Sequence, residues 1–294
     1  MDGVSEGGWM EPFNPPRREI RLDVLIPSSY SRDSPHQRDK MLRLGMLARF
    51  LAAARVESLI IYHEDPGRPD EENAGHIKLV MDYLNTAPYL RRRIYRLRPE
   101  LRYAGVLPPL NIPTHPEKPG LDYPHYREGL VISAGRRRAL VEAGLRRPLR
   151  VRRRFGRGSR VVVRVSPVEG GEPEVEVSSR RRAEVYSGFR TAVVGEAIPE
   201  IVEGYDLKLA TSRRGKDVRG LLAGLRRALR GKRRVCVAFG AAREGLYEIA
   251  ERQGFDLEEV FDHVLNVFPG QGVRTIRTEE AVAYALSILN LVAE

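Results

Sequence analysis

The first part of the chain alternates apolar and polar stretches in a pattern that predicts a βαβ unit. Residues 22–27 (LDVLIP) and 58–62 (SLIIY) are short apolar runs, which are typical of buried strands. Ser34, Pro35 and Gln37 fit a helix start with a capping box and a proline at the first position. Apolar residues then recur at helical spacing: Met41, Leu44, Leu47, Ala48 and Leu51.

The middle of the chain changes to short strands and turns. Residues 129–133, 160–165 and 173–177 are predicted strands, and glycine-rich segments separate them. Prolines mark an extended segment before them, in which neither a helix nor a central strand is expected: Pro108, Pro109, Pro113, Pro116, Pro119 and Pro124. The pattern predicts a small β-barrel.

After residue 186 the α/β pattern returns. Apolar runs predict strands over residues 189–194, 206–210, 235–239 and 264–267. Helices are predicted over residues 218–229 and 244–252, and Gly254 ends the second one. Thr278 is expected to cap a last helix, whose first turn carries two glutamates.

These elements predict an α/β fold with a mostly parallel sheet. One discontinuous domain is expected over residues 20–94 and 185–294, interrupted by a basic β module over residues 95–184. Residues 1–19 are expected to form a mobile tail. The hydrophobic content of 42% is enough to bury a core.

Charge distinguishes the β module from the rest. The 294 residues carry 50 Lys plus Arg against 39 Asp plus Glu, a net charge of +11. Residues 88–186 account for +13 of it, and the remainder sums to −2. The excess lies in arginine runs at residues 91–93, 136–138, 152–154 and 180–182. Aromatic residues lie between these runs: Tyr123, Tyr126, Phe155 and Tyr186. Cations for phosphates and rings for bases favour RNA binding, while a solvated charged face is the usual alternative.

Cysteine usage and hydropathy exclude several classes of protein. Cys236 is the only cysteine, so an internal disulfide and a Cys-based zinc site are excluded. It lies in an apolar run typical of a core strand, and a reducing, cytoplasmic compartment is expected. The apolar runs are far shorter than the roughly 20 residues that cross a bilayer, so no membrane association is expected.

The known phosphate and metal motifs are also missing from the sequence. Neither G-x-x-x-x-G-K-[ST] nor G-x-G-x-x-G occurs, which disfavours an NTPase and a dinucleotide dehydrogenase. The six histidines are scattered, so no metal site is expected. His115 and His125 fall in the proline-rich segment, where a solvated loop is the default interpretation.

Two loops of small residues follow predicted strands. Residues 265–280 (LNVFPGQGVRTIRTEE) combine a strand end, a glycine loop and a helix start, and such strand ends bind ligands in α/β sheets. Residues 240–242 (GAA) form a similar loop after another strand. Gly270 and Gly272 would let a ligand approach the backbone, although the glycines alone favour an ordinary left-handed turn.

The sequence resembles one known family at these loops and elsewhere. The segments are AFGAAREGL, NVFPGQGVRTIRTEE, TSRRGKDV, YSGFRTAVV and REGLVI. They resemble the archaeal and eukaryotic branch of the SPOUT methyltransferases, in which an OB-like module interrupts the catalytic domain. The resemblance covers most of residues 20–292. It implies a trefoil-knotted α/β domain, S-adenosylmethionine held by the knot loops, and a homodimer formed through the knot domain.

The resemblance also implies which residues contact the cofactor. By position they are Thr211, Phe239, Gly240, Leu265, Asn266, Val267, Pro269, Gly270, Gln271, Gly272, Thr275, Ile276 and Arg277. Arg274 or Arg277 could pair with the methionine carboxylate or with RNA phosphate, because guanidinium binds either group in a bidentate way. A surface salt bridge with Glu279 or Glu280 is an equal alternative.

The sequence does not identify the residue that accepts or polarises the acceptor's proton. Arg32, Asp33 and Asp262 are candidates, as is Arg274 for a polarising role. For Arg32 and Asp33 a turn or helix-capping role is the stronger alternative. Methyl transfer itself depends mainly on alignment of acceptor and donor.

The expected function is S-adenosylmethionine-dependent methylation of a base nitrogen or ribose in structured RNA, with ribosomal RNA as the expected substrate. The alternative is a catalytically silent, knotted RNA-binding protein that acts in ribosome or ribonucleoprotein assembly. The residues expected to bind RNA are Arg136, Arg137, Arg138, Arg152, Arg153, Arg154, Arg180, Arg181 and Arg182.

Overall fold

A computed structural model describes residues 13–116, 124–168 and 173–293. Over these residues the chain forms eleven strands: β1 (Arg21–Pro27), β2 (Ser58–Tyr62), β3 (His125–Ala134), β4 (Ala139–Glu142), β5 (Leu149–Val151), β6 (Arg160–Ser166), β7 (Glu174–Ser179), β8 (Arg190–Val194), β9 (Leu207–Asp217), β10 (Arg234–Ala238) and β11 (His263–Asn266). The α-helices of the same residues are α1 (Gln37–Ala53), α2 (Glu71–Leu84), α3 (Pro88–Ile94), α4 (Ile198–Val202), α5 (Leu222–Leu229), α6 (Leu246–Gln253), α7 (Leu257–Val260) and α8 (Thr278–Val292).

The described chain divides into two compact units. The α/β unit comprises residues 18–85, 97–110 and the chain from 188 onward. The β unit comprises the described residues of 13–17, 86–96 and 111–187. Each unit has its own sheet and its own buried core.

Six strands of the α/β unit form one parallel sheet in the order β11-β9-β10-β1-β2-β8. The predicted βαβ unit is confirmed, since β1 and β2 pair in parallel and α1 connects them along the chain. Strands of a parallel sheet are covered on both faces and must be apolar almost throughout, which is why short apolar runs identified them. Cys236 lies in β10 and is fully buried, as predicted.

Two helix starts differ from the prediction. The capping box at α1 is wrong, because the helix starts without a side-chain cap and the Ser34 hydroxyl instead accepts a hydrogen bond from Arg43 at 3.1 Å. Thr278 as cap of α8 is also wrong, because Arg277 occupies the cap position. The Thr278 hydroxyl donates to the carbonyl of Gly240 at 3.2 Å. Each hydroxyl binds a residue outside its own turn, nine positions away for Ser34 and 38 positions away for Thr278, which the local pattern does not show.

The β unit contains a curled antiparallel sheet in the order β5-β4-β3-β6-β7. Its outer strands β5 and β7 contact each other, so the sheet bends toward closure. The inner face is a small aliphatic core of Val131, Ala139, Val141, Ala143, Leu149, Val151, Val161, Val163 and Val165. Gly129 has space for no side chain, since a Cβ there would lie 2.5 Å from Val141. Three of these five strands were predicted from the sequence.

The unit boundaries differ from the expected insert of residues 95–184. Residues 97–110 group with the α/β unit, and residues 86–94 group with the β unit. Most of the expected mobile tail, residues 1–12, lies outside the described residues. The part that is described is bound in place, since Pro16 forms a β-bridge with Val185.

The two histidines expected in a solvated loop are buried, so that expectation is wrong. His115 is 6% exposed and His125 is 5% exposed. His115 Nε2 lies 3.5 Å from a carboxylate oxygen of Glu128, which also accepts the backbone N–H of Ala87 at 2.7 Å. The buried carboxylate of Glu128 therefore holds together chain segments of the β unit.

Candidate functional site

The carboxyl ends of β9, β10 and β11 and the start of α8 surround a cleft of about 380 Å³, named here the glycine-loop cleft. Parallel strands bring their carboxyl ends to a common edge, where α/β proteins bind ligands. Ten of the predicted site residues line it: Thr211, Phe239, Gly240, Leu265, Asn266, Val267, Gln271, Arg274, Thr275 and Ile276. Three separate chain segments therefore converge on one site.

The first wall is a bulge inside β9. This strand pairs with β11 up to Ala210 and again from Lys216, so residues 211–215 protrude from the register. A Cβ on Gly215 would lie 2.7 Å from the carbonyl oxygen of Val264, so only glycine fits there. The sequence resembles the SPOUT methyltransferases at these residues, and the structure makes them a bulge fixed at both ends by strand pairing.

The second wall is the turn that follows β10. Phe239 is buried, and the hydroxyl of Thr211 donates to the carbonyl of Ala238 at 3.0 Å. A Cβ on Gly240 would meet three backbone atoms of the next turn at 3.0 Å. The turn is therefore tightly folded on itself, and Thr278 holds it against the start of α8.

The third wall is the glycine loop between β11 and α8. Asn266 accepts the N–H of Phe268 at 3.1 Å and donates to the carbonyl of Arg213 at 3.1 Å, which ties the loop to the β9 bulge. Gln271 donates to the carbonyl of Val273 at 2.8 Å. The two amide side chains therefore shape the loop, in addition to lining the cleft.

Four of the predicted cofactor residues lie outside the lining of this cleft. Pro269 lines an apolar groove between α5 and α8 instead. Gly270 has φ of 74°, the left-handed conformation that favours glycine, and Gly272 lies two residues further along the loop. The backbone N–H of Arg277 donates to Glu280 at 2.8 Å, at the start of α8. These four residues therefore support the glycine loop from outside the lining of the cleft.

Arginines give the glycine-loop cleft a positive charge. Those that line it are Arg213, Arg214, Arg243 and Arg274. Arg214 pairs with Glu248 at 3.1 Å and stacks 4.2 Å from the ring centre of Tyr247. The other three make no ion pair within the part of the chain that the structure describes. The cleft can therefore accept an anionic group.

A second cleft of about 490 Å³, the polar cleft, shares residues 241–244 with the first. Arg32 and Asp33, the candidate catalytic residues after β1, both line it. Arg32 forms an ion pair with Asp70 at 3.2 Å, and Asp33 accepts from Arg43 at 2.6 Å. The two residues are thus placed beside the glycine-loop cleft and not inside it.

Arg43 connects the surroundings of the two clefts, and sequence reasoning missed it. It is 8% exposed, and it donates to both carboxylate oxygens of Glu279, at 2.8 and 3.1 Å. Burial alone would lower the pKa of Arg43, but hydrogen bonds to Glu279 and Asp33 outweigh burial and raise the pKa above its ordinary value. The helix that follows the glycine loop is thereby tied to the loop that carries Asp33.

The third candidate base, Asp262, lies away from both clefts. Its carboxylate accepts the backbone N–H of Lys208 at 2.7 Å, next to the start of β11. The geometry therefore favours a structural role for Asp262.

Glu279, one expected partner for Arg274 and Arg277, is instead bound to Arg43.

The arginines of the β unit differ in exposure. Residues 136–138 form the exposed turn between β3 and β4, and residues 152–154 are exposed after β5. Arg153 lies 5.5 Å from the ring centre of Phe155. Arg181 and Arg182 are also exposed. Tyr123, one of the predicted aromatic residues, lies outside the described residues.

Arg180 differs from its neighbours in the same run. It is half-buried, and its guanidinium donates to the carbonyl of Ser187. Its own carbonyl accepts from Arg17 at 3.4 Å. Arg180 therefore holds two chain segments of the β unit together, a role that a run of three arginines does not reveal.

Over residues 13–116, 124–168 and 173–293, no group of three or more His, Cys, Asp or Glu side chains could hold a metal ion. Among the helices that the structure describes, none combines the length and the apolar character that a membrane crossing requires.

Comparison with known proteins gives consistent matches. A family described as "Putative RNA methyltransferase" matches residues 21–289. An uncharacterized protein of Haloarcula marismortui is 34% identical over 92% of this chain and 99% of its own length. Another, from Halobacterium salinarum, is 31% identical over 91% of this chain and 98% of its own length. The human 28S rRNA (uridine-N(3))-methyltransferase is 28% identical over 92% of this chain and 78% of its own length.

Proposed function

The chain belongs to this SPOUT-type family of RNA methyltransferases, and from that premise we propose that it methylates ribosomal RNA with S-adenosylmethionine as the methyl donor. The observation that carries the proposal is the convergence of the β9 bulge, the turn after β10 and the glycine loop on one cleft. Those segments also carry the residues by which the sequence resembles SPOUT methyltransferases.

The residues of the glycine-loop cleft suit S-adenosylmethionine. Its volume of about 380 Å³ lies in the range of small-molecule sites. Phe239, Leu265 and Ile276 offer an apolar slot for the adenine, and Arg274 offers an unpaired cation for the methionine carboxylate. The cofactor, when bound, supplies an electrophilic methyl group. Residues of this chain would hold the cofactor and exclude water around it.

A uridine of large-subunit ribosomal RNA is the acceptor that we propose. The human relative is named for methylation of uridine N3 in 28S rRNA, and 28% identity extends over most of both chains. A uracil N3 carries a proton that must leave when the methyl group arrives, so a nearby group has to accept or polarise this proton. Asp33 and Glu64 line the polar cleft beside the cofactor site and are the candidates.

The two units divide the work in this proposal. We propose that the β unit is an OB-like module, and its curled five-stranded sheet supports this proposal because OB-folds are partly open five-stranded barrels. Its exposed arginines, in the turns at residues 136–138 and 152–154, would bind RNA phosphates. The α/β unit would bind the cofactor and the acceptor, in the cytoplasm where ribosomal RNA is available.

We further propose a homodimer and a trefoil knot. Leu222, Phe268 and Leu291 are exposed apolar residues around the groove between α5 and α8, and a second copy of the chain would cover them. For the knot, the support is that the chain returns from the edge strand β11 to the centre of the sheet, where Thr278 binds Gly240.

Isothermal titration calorimetry with S-adenosylmethionine tests the proposal. We expect one binding site per chain and weaker binding after Arg274→Ala, which removes the cation offered to the carboxylate. Absence of binding heat at millimolar cofactor would contradict the proposed activity. Arg233→Ala is the matched control, because Arg233 is exposed at the amino end of β10, opposite the cleft.

A further inference from the structure

The polar cleft and the glycine-loop cleft are separated by a thin wall. Residues 241–244 line both clefts, and two of them are alanines. The turn that forms this wall is fixed, because Gly240 is packed against it and bound by Thr278. Molecules bound in the two clefts would therefore lie next to each other.

The polar cleft offers both hydrogen-bond acceptors and donors, since carboxylates line it together with Arg68 and Arg243. Glu64 accepts from the hydroxyl of Ser28 at 2.8 Å and from the N–H of Ser29 at 3.3 Å, and Asp33 is held by Arg43. These carboxylates keep further acceptor lone pairs. An uncharged base, which both donates and accepts hydrogen bonds along its edge, fits such a lining better than a fully charged ligand does.

A third cleft continues the polar cleft on its other side. It has a volume of about 620 Å³, and Arg32 and Asp70 line both. The Arg32–Asp70 ion pair, at 3.2 Å, thus marks the boundary between them. Lys40 and Arg98 line this outer cleft as well. The three clefts adjoin one another in the α/β unit, and the polar and outer clefts together are named here the groove.

Unpaired groups lie along this groove. Arg68 in the polar cleft and Arg98 in the outer cleft make no ion pair with any described residue. His76 in the outer cleft has a buried Nε2 that lacks a hydrogen-bond partner among the described residues. Burial lowers the pKa of His76, and Lys40 lowers it further, so its ring is neutral at pH 7.

Building on the proposed function, we propose that this groove binds a single-stranded RNA segment on the α/β unit. The acceptor nucleotide occupies the polar cleft, and a neighbouring nucleotide occupies the outer cleft. Arg68 and Arg98 bind phosphates of the segment, and His76 binds a base edge or a ribose hydroxyl. The α/β unit therefore contributes its own RNA contacts beside those of the β unit.

The test uses fluorescence anisotropy of a labelled oligouridylate with the full chain and no cofactor. The Arg68→Ala, Arg98→Ala double variant removes two phosphate contacts, so we expect RNA binding to weaken about 10-fold. Arg230→Ala with Arg233→Ala removes the same charge near the amino end of β10, and we expect less than about 2-fold change there. An equal loss in the two double variants would overturn the proposal.

Photo-crosslinking of an oligouridylate that contains 4-thiouridine gives a second readout. We expect crosslinked peptides from residues 28–36 or 64–76, and we expect the Arg68→Ala, Arg98→Ala variant to lose them. Crosslinks confined to residues 125–187 would overturn the proposal that the groove binds RNA. Calorimetry with S-adenosylmethionine distinguishes failure of the groove from failure of the proposed function. We expect this variant to bind the cofactor as the unmodified protein does. Absence of cofactor binding in the unmodified protein would count against the proposed function and not against the groove.

Discussion

The buried Arg43 of the α/β unit and the exposed arginine runs of the β unit have opposite uses. In the α/β unit, Arg43 is buried and bound by Glu279 and Asp33, so that it fixes two loops at the clefts. In the β unit, residues 136–138 and 152–154 are exposed and make no ion pair with described residues. A buried and paired arginine positions the chain, whereas exposed arginines attract a polyanion. Net charge therefore indicates a partner only where the arginines are exposed.

The β unit also has buried charges, and these serve structure as Arg43 does. Glu128 is 2% exposed and binds Arg160, while Arg127 is 1% exposed and donates to the carbonyl of Ala143. In each unit, the buried charged residues hold the fold together, and a different set of charged residues faces the solvent.

Arg43→Met should have the largest effect on stability. It leaves the buried carboxylate of Glu279 without its partner, which costs about 3–5 kcal/mol for a buried ion pair. Urea unfolding followed by circular dichroism measures the free energy of unfolding. The Arg43→Met, Glu279→Gln double variant should regain part of the loss. A single variant within about 1 kcal/mol of the unmodified protein would show that the pair does not hold the loops.

Glu128 should make the stability of the β unit fall at acidic pH. Burial alone would raise its pKa, but His115, whose Nε2 lies 3.5 Å away, and the charges of Arg160 and Arg180 outweigh burial and lower the pKa to about 2. The folded pKa lies below the unfolded value of 4.5, so this stabilisation is complete above pH 4.5. It is lost as pH falls toward 2.

Urea unfolding at several pH values between 4.5 and 2 measures this dependence. The difference of pKa corresponds to about 3 kcal/mol in the unmodified protein, and Glu128→Gln should lack it. Glu176→Gln, at an exposed position of β7, is the control and should keep the dependence. The same acid dependence in Glu128→Gln as in the control would contradict the assignment.

Replacing the six exposed arginines at residues 136–138 and 152–154 by glutamine tests the opposite use of arginine. RNA affinity should fall about 100-fold or more, because each lost phosphate contact removes a released counterion. The slope of log K against log salt should become shallower by about 4. Filter binding of ribosomal RNA at several salt concentrations measures both quantities. If cofactor affinity fell in parallel, the two units would not divide the work as proposed.

Apolar patterning predicted most of the α/β unit, because strands buried on both faces are continuous apolar runs. In the β unit β4 and β5 were missed. Each has no more than four residues, and arginine-rich turns follow β3 and β5, so no sustained pattern marks them. Short strands of this kind are defined by their pairing partners, which a single sequence does not contain.

The candidate site was predicted unevenly for a similar reason. The small-residue loops at residues 240–242 and 269–272 stand out locally, and most of the residues around them line the cleft. The β9 bulge depends on pairing with β11, which is distant in sequence. Arg43 lies next to the apolar positions of α1, and that placement was the available signal for its burial. His115 was expected to be solvated because it lies in a proline-rich segment, but the β unit buries it.

Gly215→Ala should have the smallest of these effects and should act on the cofactor cleft alone. An added Cβ meets backbone atoms of β11 at 2.7 to 2.9 Å, so the bulge must shift. Overpacking of this kind costs about 1–3 kcal/mol. Where the binding-competent bulge bears this cost, cofactor binding weakens by about 5- to 160-fold. Gly195→Ala, where nothing lies within 4 Å, is the control. Unchanged cofactor affinity in Gly215→Ala would show that the bulge does not shape the cofactor site.

The central claim is that the glycine-loop cleft supports methylation of ribosomal RNA. The direct measurement is mass spectrometry of nucleosides from large-subunit RNA, taken from a strain without this gene and incubated with the protein and isotopically labelled S-adenosylmethionine. We predict labelled N3-methyluridine with the unmodified protein and much less with Gly215→Ala. Absence of any labelled nucleoside, under conditions in which calorimetry shows the cofactor bound, would contradict the claim.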